Sequence, residues 1–399
     1  MSDTVIKTIT IDELAPGMFV HEITEQSGKV KIKSQGRVAS ESVVASLRAR
    51  GVLKLRIDLS KQFDPEGVTP LPAAVAASPA PKEKEAKVSF ASELVNAESL
   101  YKQGKKIQKT LLKAVEKGLP FDDRIPSEFS LKLVASVERN PDALLCLTRI
   151  REKDDYLLEH SLNVAIILAN FARFVGMNDE AVQELAYAGF LHDMGKIRVP
   201  DEILHKPGRL TDPEMAVMKQ HVAFGVEALK EVNLDAALIR TVSEHHERLD
   251  GGGYPAGIAS SDISHAGRML AIADMYDALT ADRCYKAGMP SQRAFQILIS
   301  ESPHKLDKAL VQQFIKCMGV YPVGSLVLLS NDKVAMVLTQ NDSPLTPKVK
   351  LFYSVSGGHY ITPRDVDLEA DRRLSIVKAV KASDYKINFN EFFNQSIAP

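Results

Sequence analysis

The chain has 399 residues, and its 50 basic and 51 acidic residues leave a formal net charge of −1. A chain of this length builds two or three domains. Its balanced charge argues against non-specific electrostatic binding to nucleic acid or to an anionic membrane. The scattered cysteines, Cys146, Cys284 and Cys317, imply no disulfide framework. Without a basic and apolar leader, or a window of about 20 apolar residues, we expect a cytoplasmic protein with no membrane span.

Residues 1–66 predict a small α+β domain. Residues 5–11 and 52–59 alternate between apolar and polar positions, as strands do. Between them, residues 41–50 have helical spacing and are followed by Gly51, a typical helix stop. The segment contains no ligand cluster and no glycine-rich phosphate loop, so we expect it to carry out no chemistry.

Residues 67–90 predict a linker, because a stretch rich in proline and alanine with almost no charge cannot build a packed core. Residues 91–148 predict a helical connector. Its long helix, expected at 90–117, has an apolar stripe that is more typical of a core than of an oligomer seam. A second helix is expected at 127–139, and Pro141 opens a third.

Residues 149–318 predict an all-helical domain. Thr211 and Glu214 have the spacing of a capping box at a helix start. Residues 248–255, which are rich in glycine and end in proline, cannot continue a helix and must form a tight loop. The helices are expected at 155–175, 179–194, 211 onward, 233–247, 265–280, 291–301 and 307–318.

Residues 319–370 predict a small antiparallel β segment, since short apolar runs alternate with Asn-Asp and Gly-Gly turns. Residues 371–399 are mixed in character, and in this C-terminal tail we expect a helix at most. The fold class is therefore mainly α, with a small α+β domain before the helical domain and a small antiparallel β segment after it.

Ligand-type side chains recur through the helical domain in a pattern typical of metal sites. A lone histidine is usually a structural or surface residue. Two adjacent pairs, His192-Asp193 and His245-His246, together with further histidines and a carboxylate at wider intervals, are hard to explain in that way. Neutral imidazole and carboxylate together bind divalent first-row metals such as iron, manganese or zinc. The set comprises His160, His192, Asp193, His221, His245, His246 and Asp274.

These motifs resemble the HD-GYP family over about residues 150–318. The sequence HDMGK at 192–196 is similar to the HD-superfamily signature, and HHERLDGGGYP at 245–255 resembles the GYP extension. DMYDALT at 274–280 resembles the closing motif of the family. More weakly, residues 1–130 resemble an uncharacterised domain often found ahead of HD-GYP modules. The resemblance implies a bacterial phosphodiesterase that hydrolyses cyclic di-GMP to linear pGpG, and in some cases onward to GMP.

The resemblance also implies a dinuclear site with two divalent ions, Fe or Mn, in which Asp193 bridges. Two ions about 3.5–4 Å apart suit phosphodiester hydrolysis, which needs positioning and charge stabilisation more than covalent help. Lys196 would assist a phosphate oxygen or the leaving group, with a solvated lysine as the alternative. One ion would be held by His160, His192 and Asp274, and the other by His221, His245 and His246.

Residues beyond the ligands are assigned by the same resemblance. Arg283 and Lys286 would take substrate phosphate or guanine, and Asp277 would orient a guanine edge or hold a metal ligand. The glycines of the GYP loop could simply permit its turn. Alternatively, the loop forms a docking surface for a partner such as a diguanylate cyclase (GGDEF) domain. The loop residues are Asp250, Gly253, Tyr254 and Pro255.

The number of ions depends on position 156. Some HD-GYP proteins hold a third ion through a glutamate four residues before the first histidine. That position is Tyr156 here, on the same helix face as His160. A neutral phenol, with an ordinary pKa near 10, is a poor substitute for a carboxylate. We therefore expect two ions, unless a third recruits Asp277 or water.

Two alternatives to a cyclic di-GMP phosphodiesterase stay open. An HD phosphohydrolase of another nucleotide is disfavoured by the intact GYP loop. A catalytically silent or slow cyclic di-GMP receptor or adaptor is disfavoured by the complete ligand set. In each case residues 1–66 and the following helix are expected to regulate the protein or to form a homodimer.

Overall fold

The computed structural model describes residues 6–15, 18–27, 36–38, 41–49, 51–58, 88–149, 156–281, 288–341, 343–385 and 387–396. The chain divides into two compact units, residues 1–70 and 71–399. Most of the predicted linker at 67–90 lies outside the described residues. None of the described helices is both long and apolar enough to cross a bilayer.

In its described residues the first unit contains a four-stranded antiparallel sheet and the helix α1, as the sequence patterns predict. The sheet order is β1-β4-β2-β3. Its small core packs Ile9, Val20 and Leu55 of the strands against Val44 of the helix. The elements are β1 (Ile6–Thr10), β2 (Phe19–Gln26), β3 (Gly36–Arg37), α1 (Glu41–Ala49) and β4 (Val52–Asp58).

The second unit begins with a bundle of helices. The predicted capping box is present at the start of α8, where the Glu214 carboxylate accepts the backbone N–H of Thr211 at 2.7 Å. The helices are α2 (Phe90–Glu116), α3 (Arg124–Arg139), α4 (Pro141–Leu147), α5 (Tyr156–Phe174), α6 (Asp179–Leu191), α7 (Asp201–Leu204), α8 (Asp212–Glu231), α9 (Ala236–Ser243), α10 (His265–Thr280), α11 (Ser291–Glu301) and α12 (Lys308–Met318).

Helix α5 lies at the centre of the bundle, with neighbours α2, α6 and α10. Its residues from Leu162 to Ala172 are almost all fully buried. Two polar contacts join it to α2: the Tyr101 hydroxyl donates to Asn163 at 2.8 Å, and Lys105 pairs with Glu159 at 3.2 Å. This packing holds the helix that carries His160 rigidly among its neighbours.

Two helices end earlier than their sequence patterns predict. The helix expected at 179–194 ends at Leu191, and the helix expected at 233–247 ends at Ser243. Each adjacent ligand pair therefore lies in the turn just after a helix, not within it.

At both early ends, the imidazole of the first histidine of the pair bonds back to a carbonyl of the last helical turn. His192 donates from Nδ1 to the carbonyl of Gly189 at 2.8 Å, and His245 donates in the same way to Val242 at 2.5 Å. A continuing helix would use that carbonyl for the backbone N–H of the following residue. The imidazole competes with the helix for its acceptor. His221 makes the same contact inside α8 without ending that helix, so the contact accompanies the two early ends and is not sufficient to cause them.

A five-stranded antiparallel sheet of order β8-β7-β6-β5-β9 completes the second unit. The prediction of a helix at most in the tail is wrong, because residues 376–380 form a strand that pairs with β5. Its alternation is weak, and the pairing is settled by the partner strand. The elements are β5 (Leu326–Leu329), β6 (Lys333–Thr339), β7 (Lys348–Ser354), β8 (His359–Asp367), β9 (Ile376–Val380) and α13 (Phe389–Ser396).

Candidate metal centre

The helical bundle brings all seven predicted ligand residues together. Helix α5 supplies His160, α8 supplies His221 and α10 supplies Asp274, while the two turns supply the adjacent pairs. Their potential ligand atoms form two groups, and within each group the atoms lie within 4.8 Å of one another. We term His160, His192 and Asp274 the first half-site, and His221, His245 and His246 the second half-site.

Asp193 lies between the half-sites and faces both. Its Oδ2 is 3.2 Å from His160 Nε2 and 3.5 Å from His192 Nε2. Its Oδ1 is 3.5 Å from His221 Nε2 and 3.8 Å from His245 Nε2. One carboxylate with an oxygen towards each imidazole group has the arrangement that a bridging ligand requires.

Asp274 links the remaining ligands. Its Oδ1 is 3.0 Å from His160 Nε2 and 3.7 Å from His192 Nε2. Its Oδ2 is 3.7 Å from His246 Nδ1. His221 Nε2 and His245 Nε2 are themselves only 3.3 Å apart. Such closely spaced acceptor-type atoms call for a cation between them.

The ring orientation of the ligands is fixed from behind. His192 and His245 donate from Nδ1 to backbone carbonyls, and His221 donates in the same way to Met218 at 2.7 Å. His160 donates from Nδ1 to Asp277 at 2.7 Å. Because Nδ1 carries the proton in each ring, Nε2 keeps the lone pair that a metal needs.

Asp277 therefore has a different position from the one expected for a substrate contact. Its side chain is fully buried and bonded to His160. This geometry favours the alternative in which it holds a metal ligand. Asp274 and Asp277 lie one turn apart on α10, so the sequence alone could not decide which of them faces which group.

The electrostatics of the site match ligation. Burial lowers the pKa of His221 to about 4 and that of His246 to about 3. These rings are therefore neutral at pH 7, as ligands must be. Burial alone would raise the pKa of Asp193, but the nearby Lys196 ammonium and the imidazoles outweigh it and hold that pKa well below its usual value. The carboxylate is consequently ionised.

The residues present fit a divalent metal. Within the described part of the chain, His192 Nε2 and Asp193 Oδ1 are buried without any hydrogen-bond partner. Each buried and unsatisfied polar atom costs about 1–3 kcal/mol. A cation in the first half-site would satisfy His192 Nε2, and one in the second would satisfy Asp193 Oδ1. Imidazole nitrogen and carboxylate oxygen are the donors that first-row divalent ions accept.

Lys196 lies in the short 3₁₀ turn Met194–Arg198 that follows the His192-Asp193 pair. Its ammonium forms an ion pair with Asp193 and stays partly exposed. A Cβ at Gly195 would lie 2.0 Å from the carbonyl oxygen of His221. Glycine at this position therefore lets the turn pack directly on α8.

The GYP loop folds back onto the site and is held by Glu247, which sequence reasoning did not single out. Glu247 is buried, and its Oε1 accepts the backbone N–H groups of Ala256 at 2.7 Å and Gly257 at 3.1 Å. A Cβ at Gly253 would lie 2.5 Å from Glu247 Cα, so only glycine permits this close approach. The available signal was position alone, since Glu247 directly follows a ligand pair.

The loop places Tyr254 against a ligand. The rings of Tyr254 and His246 are 4.7 Å apart, and the backbone N–H of Tyr254 donates to the carbonyl of His246 at 3.1 Å. Asp250 accepts the backbone N–H of Gly252 at 3.0 Å and pairs with Arg248, so it stabilises the turn. Pro255, which follows Tyr254, is exposed.

Three predicted features fall outside the described residues. Arg283 and Lys286, which were expected to bind substrate, lie in the segment 282–287, which the structure does not describe. The side chain of Tyr156 is also not described. The structure therefore places the ligands and the GYP loop but not these three side chains.

Three family models match separate parts of the chain. An HD domain matches residues 145–310, a domain of unknown function (DUF3391) matches residues 6–123, and a KOW domain associated with HD domains matches residues 326–388. The HD match contains all seven clustered ligands. The KOW match contains every strand of the five-stranded sheet.

Relatives extend the likeness beyond single domains. "Cyclic di-GMP phosphodiesterase PA4108" of Pseudomonas aeruginosa is 36% identical, over 91% of this chain and 89% of its own length. A cyclic di-GMP phosphodiesterase of Thermotoga maritima is 34% identical, over 51% of this chain and 56% of its own. "3'3'-cGAMP-specific phosphodiesterase 1" of Vibrio cholerae is 33% identical, over 44% of this chain and 41% of its own. Among solved structures, Bd1817, an HDG"Y"P protein of Bdellovibrio bacteriovorus, covers 78% of this chain and 98% of its own, with 15% identity and a TM-score of 0.48.

Proposed function

Because the chain belongs to the HD-GYP family, we propose that it is a metal-dependent phosphodiesterase that opens cyclic di-GMP to linear pGpG. The observation that carries the proposal is the position of Asp193, which faces both half-sites. The near full-length likeness to the Pseudomonas protein, which is named for this substrate, supports the choice of nucleotide. Onward cleavage of pGpG to GMP is the second step that the same site would perform.

Two divalent ions, Fe or Mn, would occupy the site, one in each half-site with Asp193 between them. Mixed imidazole and carboxylate donors without thiolate suit these metals. When bound, such ions make water nucleophilic at neutral pH and neutralise charge on phosphoryl oxygens. Glu159, next to His160 in sequence, is already paired with Lys105 at 3.2 Å, which supports two ions over three.

The chain's own groups prepare the site for this chemistry. Asp277 fixes the ring of His160, and burial of the ligands excludes bulk water from the first half-site. Lys196, beside Asp193 and partly exposed, would donate to a phosphate oxygen or to the leaving oxygen. Arg283 and Lys286 would bind substrate phosphate or guanine, with Arg283 always cationic and never a metal ligand.

The test combines metal analysis with a time course of cyclic di-GMP conversion on protein purified without chelators. We expect two ions per chain and the appearance of pGpG. Arg283→Ala should weaken substrate use while keeping both ions, which makes it the matched control for any variant that loses metal. A folded, metal-loaded protein that binds cyclic di-GMP but never opens it would instead establish a silent receptor.

A second substrate is favoured by one observation. The Vibrio relatives named 3'3'-cGAMP-specific phosphodiesterases match 39–44% of this chain at 33–35% identity, close to the 34% of the partial match to the Thermotoga cyclic di-GMP phosphodiesterase. Parallel assays with 3'3'-cGAMP and cyclic di-GMP decide between the two. A kcat/KM higher for 3'3'-cGAMP would overturn the proposed substrate.

We also propose two protein partners, a GGDEF domain and a second copy of this chain. The exposed residues Asp250 and Pro255 would contact a GGDEF domain, and the first unit would mediate a homodimer. Light scattering of the full chain measures its mass in solution. Binding of a purified GGDEF domain to wild type and to Asp250→Lys tests the loop, and equal binding of the two would contradict the assignment.

A further inference from the structure

Among the described ligands of the metal centre, His246 is the most exposed to solvent. The side chains of His160, His192, Asp193, His221 and His245 are at most 1% exposed, whereas that of His246 is 23% exposed. Lys196, at 17%, and Asp274, at 10%, are the other partly exposed groups of the centre. The exposed edge of His246 is therefore where we infer that substrate reaches the centre, and we call the surface beside that ring the entrance.

Tyr254 forms the wall at this entrance. Its ring lies 4.7 Å from the ring of His246, centroid to centroid, and is half-buried. The clamp from Glu247 to the backbone of the loop and the close approach of Gly253 fix the wall in place. A wall held this way presents a defined surface to whatever enters.

A lysine ammonium lies against the ring of Tyr254. The ammonium of Lys219, on α8, is 5.0 Å from the centre of the Tyr254 ring, within the range of a cation–π contact. Lys219 is exposed, and across the described part of the chain it pairs with no carboxylate. Its charge is therefore held in position without being neutralised.

We propose that Lys219 binds the second, non-scissile phosphate of the cyclic dinucleotide while the first phosphate lies at the metal centre. This inference rests on the proposed function. A cyclic dinucleotide carries two phosphodiester anions, and only one of them can occupy the centre at a time. A lysine ammonium recognises phosphate as a point charge, and Tyr254 keeps this one at the entrance.

The test compares cyclic di-GMP with bis(p-nitrophenyl) phosphate, a diester that has one phosphate and no second anion. Lys219→Ala should raise the KM for cyclic di-GMP about tenfold, the size expected for one charge-assisted contact. The ratio of kcat/KM for cyclic di-GMP to that for the small diester should fall by the same factor. Lys219→Arg should restore the ratio, and Lys230→Ala, an exposed lysine on the same helix, serves as the matched control.

Each other outcome overturns the inference. An unchanged KM in Lys219→Ala would make Lys219 an ordinary surface residue. Equal losses on both substrates would mean that the variant disturbs the metal centre. Retention of the KM by Lys219→Gln, which keeps a donor but loses the charge, would indicate a hydrogen bond to a base in place of the phosphate contact.

The role of the wall is tested separately. Tyr254→Phe keeps the ring face, whereas Tyr254→Leu removes it. We expect the Leu variant to raise the KM as Lys219→Ala does, and the double variant to add little, because both changes remove one contact. Additive effects would contradict this coupling, and metal content is measured in each variant because Tyr254 packs on His246.

Equilibrium binding of cyclic di-GMP keeps this inference distinct from the proposed function. If the wild-type protein binds the nucleotide without cleaving it, the enzyme proposal fails. The inference then stands or falls on whether Lys219→Ala weakens the Kd about tenfold. If the wild-type protein does not bind the nucleotide at all, both fail.

Discussion

The two half-sites use the same imidazole chemistry but are held in different ways. In the first, a side chain fixes the ring of His160, through the bond from Nδ1 to Asp277 at 2.7 Å. In the second, backbone carbonyls fix the rings of His221 and His245. A carboxylate behind a histidine raises its basicity more than a carbonyl does. In the first half-site, therefore, His160 depends on one replaceable side chain, while His192 is held by a backbone carbonyl. In the second, His221 and His245 both depend on backbone geometry.

The half-sites also differ in access. The histidines of the first are at most 1% exposed, whereas His246 of the second is 23% exposed at the entrance. If each half-site holds an ion as proposed, the ion in the more exposed second half-site would exchange faster and would be the one nearer to entering substrate. On that proposal the two half-sites would divide into one that retains its ion and one that exchanges it, and the predictions below test that division.

The largest effect is expected from removing the residue that the half-sites share. Asp193→Ala should lose both ions and all detectable phosphodiesterase activity, because each group loses its common oxygen ligand. Elemental analysis and a cyclic di-GMP time course measure the result. Asp201→Ala, at a carboxylate that is 92% exposed, is the control. A variant that kept one full ion would show that Asp193 does not bridge.

Chelation should separate the half-sites without any substitution. We expect limiting EDTA to remove one ion per chain quickly and the other slowly, with activity lost alongside the first. The open side at His246 gives the chelator access to the second half-site, while burial protects the first. Metal content measured against time tests this, and loss of both ions in a single phase would contradict the division.

Asp277 should affect the first half-site alone. Asp277→Ala should weaken metal affinity by about 10–100-fold, the usual size for loss of a group that orients a ligand. Asp277→Asn should lose less, because the amide oxygen still accepts from His160 Nδ1. Metal titration of both variants checks the order. If the two variants lost affinity equally, Asp277 would act through its charge or its packing and not through this bond.

Gly253→Ala should act on the second half-site through the GYP loop. A Cβ there would lie 2.5 Å from Glu247 Cα and 2.6 Å from the carbonyl oxygen of His246, so backbone must shift. We expect about 1–3 kcal/mol of destabilisation and a raised KM for cyclic di-GMP. Gly252→Ala is the control, since its nearest contacts are side-chain atoms at 3.2 Å. Thermal melts and kinetics that were equal for the two variants would contradict this.

The smallest effect is expected from removing the first unit. A protein beginning at residue 88 should keep both ions and a similar melting temperature, because every clustered ligand and the core around α5 belong to the second unit. Metal analysis and a thermal melt measure this. Loss of metal in the folded, shortened protein would mean that residues before 88 supply ligands.

The residue types and their local spacing were sufficient to predict much of this protein. The adjacent pairs His192-Asp193 and His245-His246 predicted a metal centre, and the structure gathers all the expected ligands. The capping box at Thr211 and the hairpins after residue 319 were equally readable, because their signals lie within a few residues of chain.

Tertiary structure decided the features that join distant parts of the chain. His160 and Asp277 are 117 residues apart, and their bond depends on α5 packing against α10. The pairing of β9 with β5 and the clamp by Glu247 likewise depend on partners that local spacing does not specify. Local propensity sets which elements form, but burial of their apolar faces sets which polar groups meet.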